Sequence, residues 1–443
     1  MHHDTIAALA TPAGSGGIGI IRLSGPTALP IAQSLFSQSI TVPRHVYIGH
    51  IKSIDHGCVI YFKGPDSFTG EDVIEFHIHS GQTIIKTLLT KLYEHGVRPA
   101  NPGEFTYRAV LNQKIDLTQA EGIIDIIDAT SQQSHHVALA HLNGSLYTWI
   151  STIKNQLIRQ LEFVEGSIDF PDEVPHLDRN HAINELIAIQ SQLNETLSLQ
   201  DFGEHIKQGV TCVIIGKPNS GKSSLLNQLL GKNRAIVTAT PGTTRDYLSA
   251  SIELGGLNYE FIDSAGYRQT NQAIEKKGIR QLKPLINQSS AILWIVDQSK
   301  APTDDDKKLS ILLKKQSKPI WLIINKNDLK TCRYKNLLGL PELSISTKTG
   351  NGISQLKSML INHFSTDPNK HNLGLICNAR QKACIHQLNS HISHLLATIR
   401  SSIEDDLLAV DLKAAIQTCG ELTGESVTET VLDGIFSRFC VGK

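Results

Sequence analysis

The run GKPNSGKSS at residues 216–224 follows a short β-rich stretch, VTCVIIG (210–216), and precedes a helical one, LLNQLLG (225–231). Spacing of the type GxxxxGK[ST] between a strand and a helix is built for phosphate. Its glycines let the backbone N–H groups of Asn219, Ser220, Gly221 and Ser224 approach phosphate oxygens, next to the unpaired donors that open the helix. Lys222 then reaches the β- and γ-phosphates, and Ser223 ligates Mg²⁺.

Three further pieces sit at predicted strand ends. In DSAG (263–266), Asp263 can hold Mg²⁺ through water, and the Gly266 amide can meet a γ-phosphate. In NKND (325–328), Asn325 and Lys326 lead to Asp328, whose carboxylate can accept both N1–H and the 2-amino group of guanine. Adenine offers neither donor, so Asp328 specifies GTP. In STK (346–348), Ser346, Thr347 and Lys348 supply backbone donors for the guanine O6. The order of the four pieces resembles the TRAFAC-type GTPases.

Cleavage needs an oriented water and a cation. The residue directly after DSAG, where Ras-like GTPases carry a water-positioning Gln, is Tyr267, and no arginine finger is evident. Asn219 offers a side-chain oxygen that can coordinate a second cation, whereas a Lys or Arg there could not. The loop AIVTATPGTTRD (235–246) is long enough to cross the phosphates; its carbonyls can complete a monovalent-ion cage, and Thr244 can ligate Mg²⁺. The competing reading of Asn219 is a plain turn residue.

A second reactive group stands at the chain end, FCVGK (439–443). Arg438 and Lys443 flank Cys440, and cations favour the thiolate form of a cysteine. Two readings stay open: a nucleophile or transient covalent handle, or a small residue at a helix junction.

These groups need a scaffold. The 443 residues suffice for about three domains. Lys+Arg and Asp+Glu are both 42, so no global basic field exists and nucleic acid must meet a local patch. Seven cysteines without a CxxC pair exclude a disulfide framework and a zinc pattern, as expected of a reducing cytosol. No signal peptide is visible, and apolar runs such as AILWIV (291–296) are strand-length, so no membrane span is expected.

Residues 1–117 read as α/β, with strands in GIGIIRLSG (17–25), HVYIGHIKSI (45–54) and VIYFKG (59–64), and a helix in 83–96. Helical spacing follows at Ile150, Ile153, Leu157, Leu161 and Val164, and at Leu186, Ile189, Leu193 and Leu197. From 209 to 366, runs such as LNYEFID, AILWIVD and PIWLIIN alternate with helices, which predicts a doubly wound, mostly parallel sheet. TDPNK (366–370) is a breaker. Helical stripes return at Leu388, Ile392, Leu395, Ile399 and Ile403, and at Val427, Val431, Ile435 and Phe439, the last widened by Phe436. The fold expected is an α/β domain (1–117) and a helical bundle (118–208 and 367–443) split by an inserted Ras-like P-loop domain (209–366).

GKPNSGKSSLLNQLLG, IVTATPGTTRD, DSAGYR and FCVGK, with ATPAGSGGIGIIRLSG, GPDSFTGEDVIE, NPGEFTYRAVLNQKIDLTQAEGIIDIIDA and IDFPDE, resemble the bacterial MnmE/TrmE tRNA-modification GTPases from residue 5 to the end. Era-type GTPases share only the middle segment. The departures are small: DSAG for the family's DTAG, and FCVGK for FCIGK. Pro241 stiffens the phosphate-crossing loop.

The resemblance implies a homodimer formed through an N-terminal domain that also binds 5-formyltetrahydrofolate, and a K⁺-stimulated G domain that pairs across the dimer. It places K⁺ at Asn219 and at the carbonyls of Thr238, Thr240 and Thr243, a water-positioning carboxylate at Glu275, and folate contacts at Arg22, Glu75, Lys114 and Lys443. It also implies a FAD-dependent partner, MnmG (GidA), and joint addition of an aminomethyl-type group to C5 of uridine 34 in tRNA. Lys222, Glu275 and Cys440 are the catalytic candidates. The rival is a GTP-gated, Era-like ribosome-assembly factor without modification chemistry, which needs neither the N-terminal domain nor the terminal cysteine.

Overall fold

Alternating side chains define the first sheet. Its strands are β1 (Ile6–Leu9) and β2 (Gly16–Ser24), then, after helix α1 (Ala28–Leu35), β3 (Val46–Ile51), β4 (Asp55–Phe62) and β5 (Val73–Ser80). Helix α2 (Gln82–Glu94) leads to the short β6 (Arg98–Pro99). The order is β3-β4-β5-β2-β1-β6, antiparallel except where β6 joins β1. Ile21, Leu23, Val59, Ile74 and Phe76 point to one face and pack with Ala28, Leu88 and Leu92 of α1 and α2. Period-two geometry therefore leaves Arg22 and Glu75 on the opposite face, paired in register.

The computed structural model describes residues 4–170, 172–173, 177–231, 248–263, 277–329, 334, 336, 339–364, 373–401, 405–437 and 439–442. Expectations for Thr238, Thr240, Thr243, Thr244, Gly266, Tyr267, Glu275, TDPNK, Ile403, Arg438 and Lys443 lie outside the described residues.

Helices follow: α3 (Glu104–Leu111), α4 (Leu117–Asp128), α5 (Gln132–Leu142), α6 (Ser145–Asp169), α7 (Arg179–Ser198) and α8 (Gln200–Gln208). The second sheet comprises β7 (Val210–Ile215), β8 (Leu248–Leu254), β9 (Leu257–Asp263), β10 (Ala291–Asp297), β11 (Ile320–Asn325) and β12 (Glu342–Ser344). Helices α9 (Lys222–Leu230), α10 (Lys277–Gln288), α11 (Asp304–Lys314) and α12 (Ile353–Phe364) intervene or follow. The chain continues through α13 (Ala379–Arg400), α14 (Asp405–Thr423) and α15 (Glu429–Phe436). Two compact units result: Met1–Ile127 with Leu139–Asn194 and Ala379–Lys443, and Asp128–Ala138 with Glu195–Asn378.

In the first unit α6 packs on α14, and α14 on α13, so sequence-distant helices share one bundle. Ile150, Ile153, Leu157 and Val164 are buried, as their spacing predicts. The Glu121 carboxylate, almost fully buried on α4, accepts Arg380 Nε at 2.8 Å and Nη2 at 2.7 Å, and Gln381 Nε2 at 2.7 Å. In the final stripe Val427, Ile435, Phe436 and Phe439 join the core as expected, and Val431 does not. Val431 is 45% exposed, whereas Leu432, Phe436 and Phe439 are buried with Leu117 and Ala120. The helix begins at Glu429 and ends at Phe436, so Leu432 and Phe436, four apart, form its inner face, and Phe439 enters the core from the turn beyond.

In the second unit the order is β12-β11-β10-β7-β9-β8, parallel throughout except for β8 on β9. β10 and β11 are buried at every residue, which explains their unbroken apolar runs. The chain leaves β7 with neighbours on both sides, β9 and β10, so the crevice beyond its carboxyl end is a topological switch point.

Candidate active site

Residues 216–221 leave β7 and turn into α9 at this crevice. Asn219 adopts φ +62°, a left-handed conformation that Asn tolerates, and its side chain is exposed. Gly221 caps α9 with φ +103°; a Cβ there would lie 2.1 Å from Asn325 Nδ2, so glycine is required. The Lys222 ammonium, almost fully buried, donates to the carbonyls of Gly216 at 3.0 Å and Lys217 at 2.8 Å. Ser223 Oγ donates to Asp263 Oδ2 at 2.7 Å, which brings the two candidate Mg²⁺ residues together at the ends of α9 and β9.

The base-recognition pieces are cross-braced. Asn325, fully buried, donates through Nδ2 to the Ser220 carbonyl at 2.8 Å and to Thr347 Oγ1 at 3.2 Å, and accepts the Thr347 N–H at 3.0 Å. Asn325 thus ties the phosphate loop to the 346–348 turn rather than presenting itself to solvent. Ser346 Oγ donates to Asp328 Oδ1 at 2.7 Å. That hydrogen bond is the main reason the Asp328 carboxyl lies below its ordinary range, with Lys348 and Lys326 adding to it. Asp328 is therefore an ionised acceptor. The backbone of 346–348 carries Gln228 Nε2 at 3.1 Å on the Thr347 carbonyl.

Two anchors escaped the motif reading. Asp297 ends β10 and takes the Lys326 ammonium at 2.6 Å. Lys217 reaches past the phosphate loop to Thr303 Oγ1 and to Asp306 Oδ2 at 2.5 Å, the residues that form the capping box of α11. An acid closing the apolar strand AILWIVD, as Asp263 closes LNYEFID, was the available signal for Asp297.

The other candidates meet in the first unit. Arg22 donates to Glu75 Oε1 through Nε at 2.9 Å and Nη2 at 2.8 Å, and His77 Nε2 contacts Glu75 Oε2 at 3.2 Å. The Arg22 guanidinium lies 5.7 Å from the Phe105 ring centre and 5.9 Å from that of Phe68. Arg22, Glu75 and Lys114 line one cavity of about 770 Å³, with Arg44 and Phe68. Behind it Arg108, fully buried, binds Asp4 at 2.7 Å, Glu71 at 3.1 Å and Glu104 at 2.9 Å; sequence patterns did not reveal this cluster.

The chain end is anchored in the same unit. Val441 forms a bridge with Pro102, and Gly103 N–H points to the Cys440 carbonyl at 3.4 Å. A Cβ on Gly442 would lie 2.2 Å from the Leu9 carbonyl, so only glycine lets the tail approach β1. Cys440 itself remains exposed.

A family model described as the MnmE helical domain matches residues 117–440, and one described as the GTP-binding protein TrmE N-terminus matches residues 5–114. A tRNA modification GTPase MnmE of Syntrophus aciditrophicus is 38% identical over 100% of both chains. Its Thermotoga maritima counterpart is 37% identical over 99% of this chain and 100% of that one. The Chlamydia felis protein of the same name is 38% identical over 100% of this chain and 99% of its own. The G domain of the T. maritima FeoB iron transporter aligns with 35% of this chain and 99% of that one, at 23% identity and a TM-score of 0.27. Matches that run through the N-terminal and helical segments as well as the phosphate loop decide the assignment: the chain belongs to the MnmE family of tRNA modification GTPases.

Proposed function

We propose that this GTPase modifies C5 of the wobble uridine, position 34 of tRNA, as a cytoplasmic homodimer working with a FAD-dependent MnmG-type partner and a tetrahydrofolate. The observation that carries the reading is the convergence of Arg22, Glu75 and Lys114, which are 53 and 39 positions apart in sequence, on one cavity. Its chemistry suits 5-formyltetrahydrofolate. Arg22, Arg44 and Lys114 offer cations to a glutamate tail. Glu75 offers acceptor oxygens to the amino and ring N–H groups of a pterin, and Phe68 offers an aromatic edge. When bound, the folate supplies a one-carbon unit. Arg22 orients Glu75 through two hydrogen bonds to the same oxygen, and this leaves Oε2 to His77 and to ligand. The anchored tail supports Cys440 and Lys443 as further groups of this half of the molecule.

In the G domain, Lys222 would transfer its ammonium from the Gly216 and Lys217 carbonyls to the β- and γ-phosphates. Ser223, with Thr244 and Asp263, would hold Mg²⁺. Asn219, with the carbonyls of Thr238, Thr240 and Thr243, would hold K⁺ in place of an arginine finger. Glu275 would position water. Asp328, with Asn325, Lys326 and the 346–348 turn, would hold guanine. Hydrolysis would then drive opening and closing of paired G domains.

Nucleoside analysis of tRNA from a strain lacking this protein tests the reading. Loss of the C5 substituent at uridine 34, restored by the wild-type chain but not by Arg22→Ala or Glu75→Ala, is expected. A normal nucleoside profile would sink it.

A further inference from the structure

We infer that Asp297 is a positioning residue for guanine recognition: it holds Lys326, and through Lys326 the loop that aims Asp328. This rests on the assignment of Asp328 to the guanine edge. Asp297 stands opposite Asn325 in the register of β10 and β11, one residue before Lys326. It is only 8% exposed. Its Oδ1 accepts Ser299 N–H at 3.0 Å and Ser299 Oγ at 2.7 Å, which fixes the plane of the carboxylate, and its Oδ2 takes Lys326 Nζ at 2.6 Å. A second strap runs alongside, from Gln298 N–H to the Asn325 carbonyl at 3.0 Å.

Lys326 has φ +68°, a conformation that costs any residue with a Cβ and persists only where the surroundings enforce it. The ion pair with Asp297 is an enforcing contact on its side chain. Beyond Lys326, Asn327 N–H is fixed on the Ile345 carbonyl at 3.0 Å and Asp328 on Ser346, so the carboxylate direction depends on the backbone at 326. Burial works against a charge on Asp297, yet Lys326 and Ser299 outweigh it and hold its carboxyl below the ordinary range, so Asp297 is a carboxylate at neutral pH.

The test is nucleotide titration of the full-length protein with GDP and with IDP, whose base lacks the 2-amino group. Wild type should prefer GDP by about tenfold or more, because IDP leaves an Asp328 oxygen unpaired. Asp297→Asn keeps the shape and removes the charge. It should weaken GDP about tenfold and IDP about twofold, collapsing the preference. Ser299→Ala, a milder change on the same carboxylate, should lower the preference about threefold. Equal weakening of both nucleotides, or an intact preference in both variants, overturns the inference. A wild-type protein with no preference for GDP over IDP would instead overturn the Asp328 assignment.

Discussion

Ser223 Oγ and Asp263 Oδ2 lie 2.7 Å apart, so the first turn of α9 and the last residue of β9 already meet where a divalent ion would sit. The relationship predicts a shared dependence on Mg²⁺. Ser223→Ala should reduce GTP turnover about 10²-fold and shift the Mg²⁺ concentration for half-maximal rate upward, since both the ligand and the contact with Asp263 are lost. A Mg²⁺ titration of the variant, compared with wild type, checks this. An unchanged midpoint contradicts the pairing.

On the proposed K⁺ site, stimulation by potassium depends on the Asn219 side-chain oxygen. Turnover in KCl should exceed that in NaCl by about tenfold or more, a fraction of the roughly 10³–10⁵ that a cationic finger gives other GTPases. Asn219→Ala should equalise the two salts. Turnover indifferent to the cation in wild type removes the assignment.

Acid should weaken the N-terminal domain through Glu104 and Asp4. Burial opposes the charge on Glu104 most strongly, yet Arg98, the Asn101 amide and Arg108 together hold its carboxyl below the ordinary range; Arg98 and Arg108 do the same for Asp4. A depressed folded-state value contributes stability that is complete above the unfolded value, near 4, and is lost as pH falls through the folded one. The melting midpoint should therefore be insensitive to these groups from pH 7 to about 5 and fall below about 4. Glu104→Gln should lower the midpoint at pH 7 and flatten the acid decline. Arg108→Met should cost about 3 kcal/mol, because it strands buried carboxylates. Calorimetry over pH separates these outcomes from a uniform loss.

Among the described cysteines, thiol accessibility is graded, with Cys58 and Cys384 between the extremes. Cys440 is exposed, whereas burial pushes the Cys212 thiol well up and that of Cys419 to about 12. A thiol reagent at pH 8 should label Cys440 fastest, and Cys440→Ser should delete that fast phase. Cys212 and Cys419 should react only in denaturant. A fast phase that survives the substitution would contradict its assignment to Cys440.

What could be read in advance divides along the range of the interactions. The phosphate loop, the acid closing β9, the NKND run at the end of β11, and the helical stripes of α6 and α13 are local patterns, legible because strand ends and helical periods write themselves into neighbouring residues. The Arg22–Glu75 register, the Arg108 cluster and the bridge between Val441 and Pro102 join residues far apart, which no period encodes. Val431 misled because its spacing continues a stripe from residues outside α15, while the helix turns on Leu432 and Phe436. The motif places Asn325 among the nucleotide residues but does not reveal the bracing contacts by which it ties Ser220 to Thr347.

The most direct test of the account is base specificity at Asp328. Xanthine carries an oxygen where guanine carries the 2-amino group, so an amide side chain that can donate suits it better. Asp328→Asn should lose GTP hydrolysis at micromolar nucleotide and gain hydrolysis of XTP, measured as phosphate release by the full-length protein. Retained preference for GTP in the variant, or equal use of ATP by the wild type, would contradict the claim that this carboxylate chooses the nucleotide.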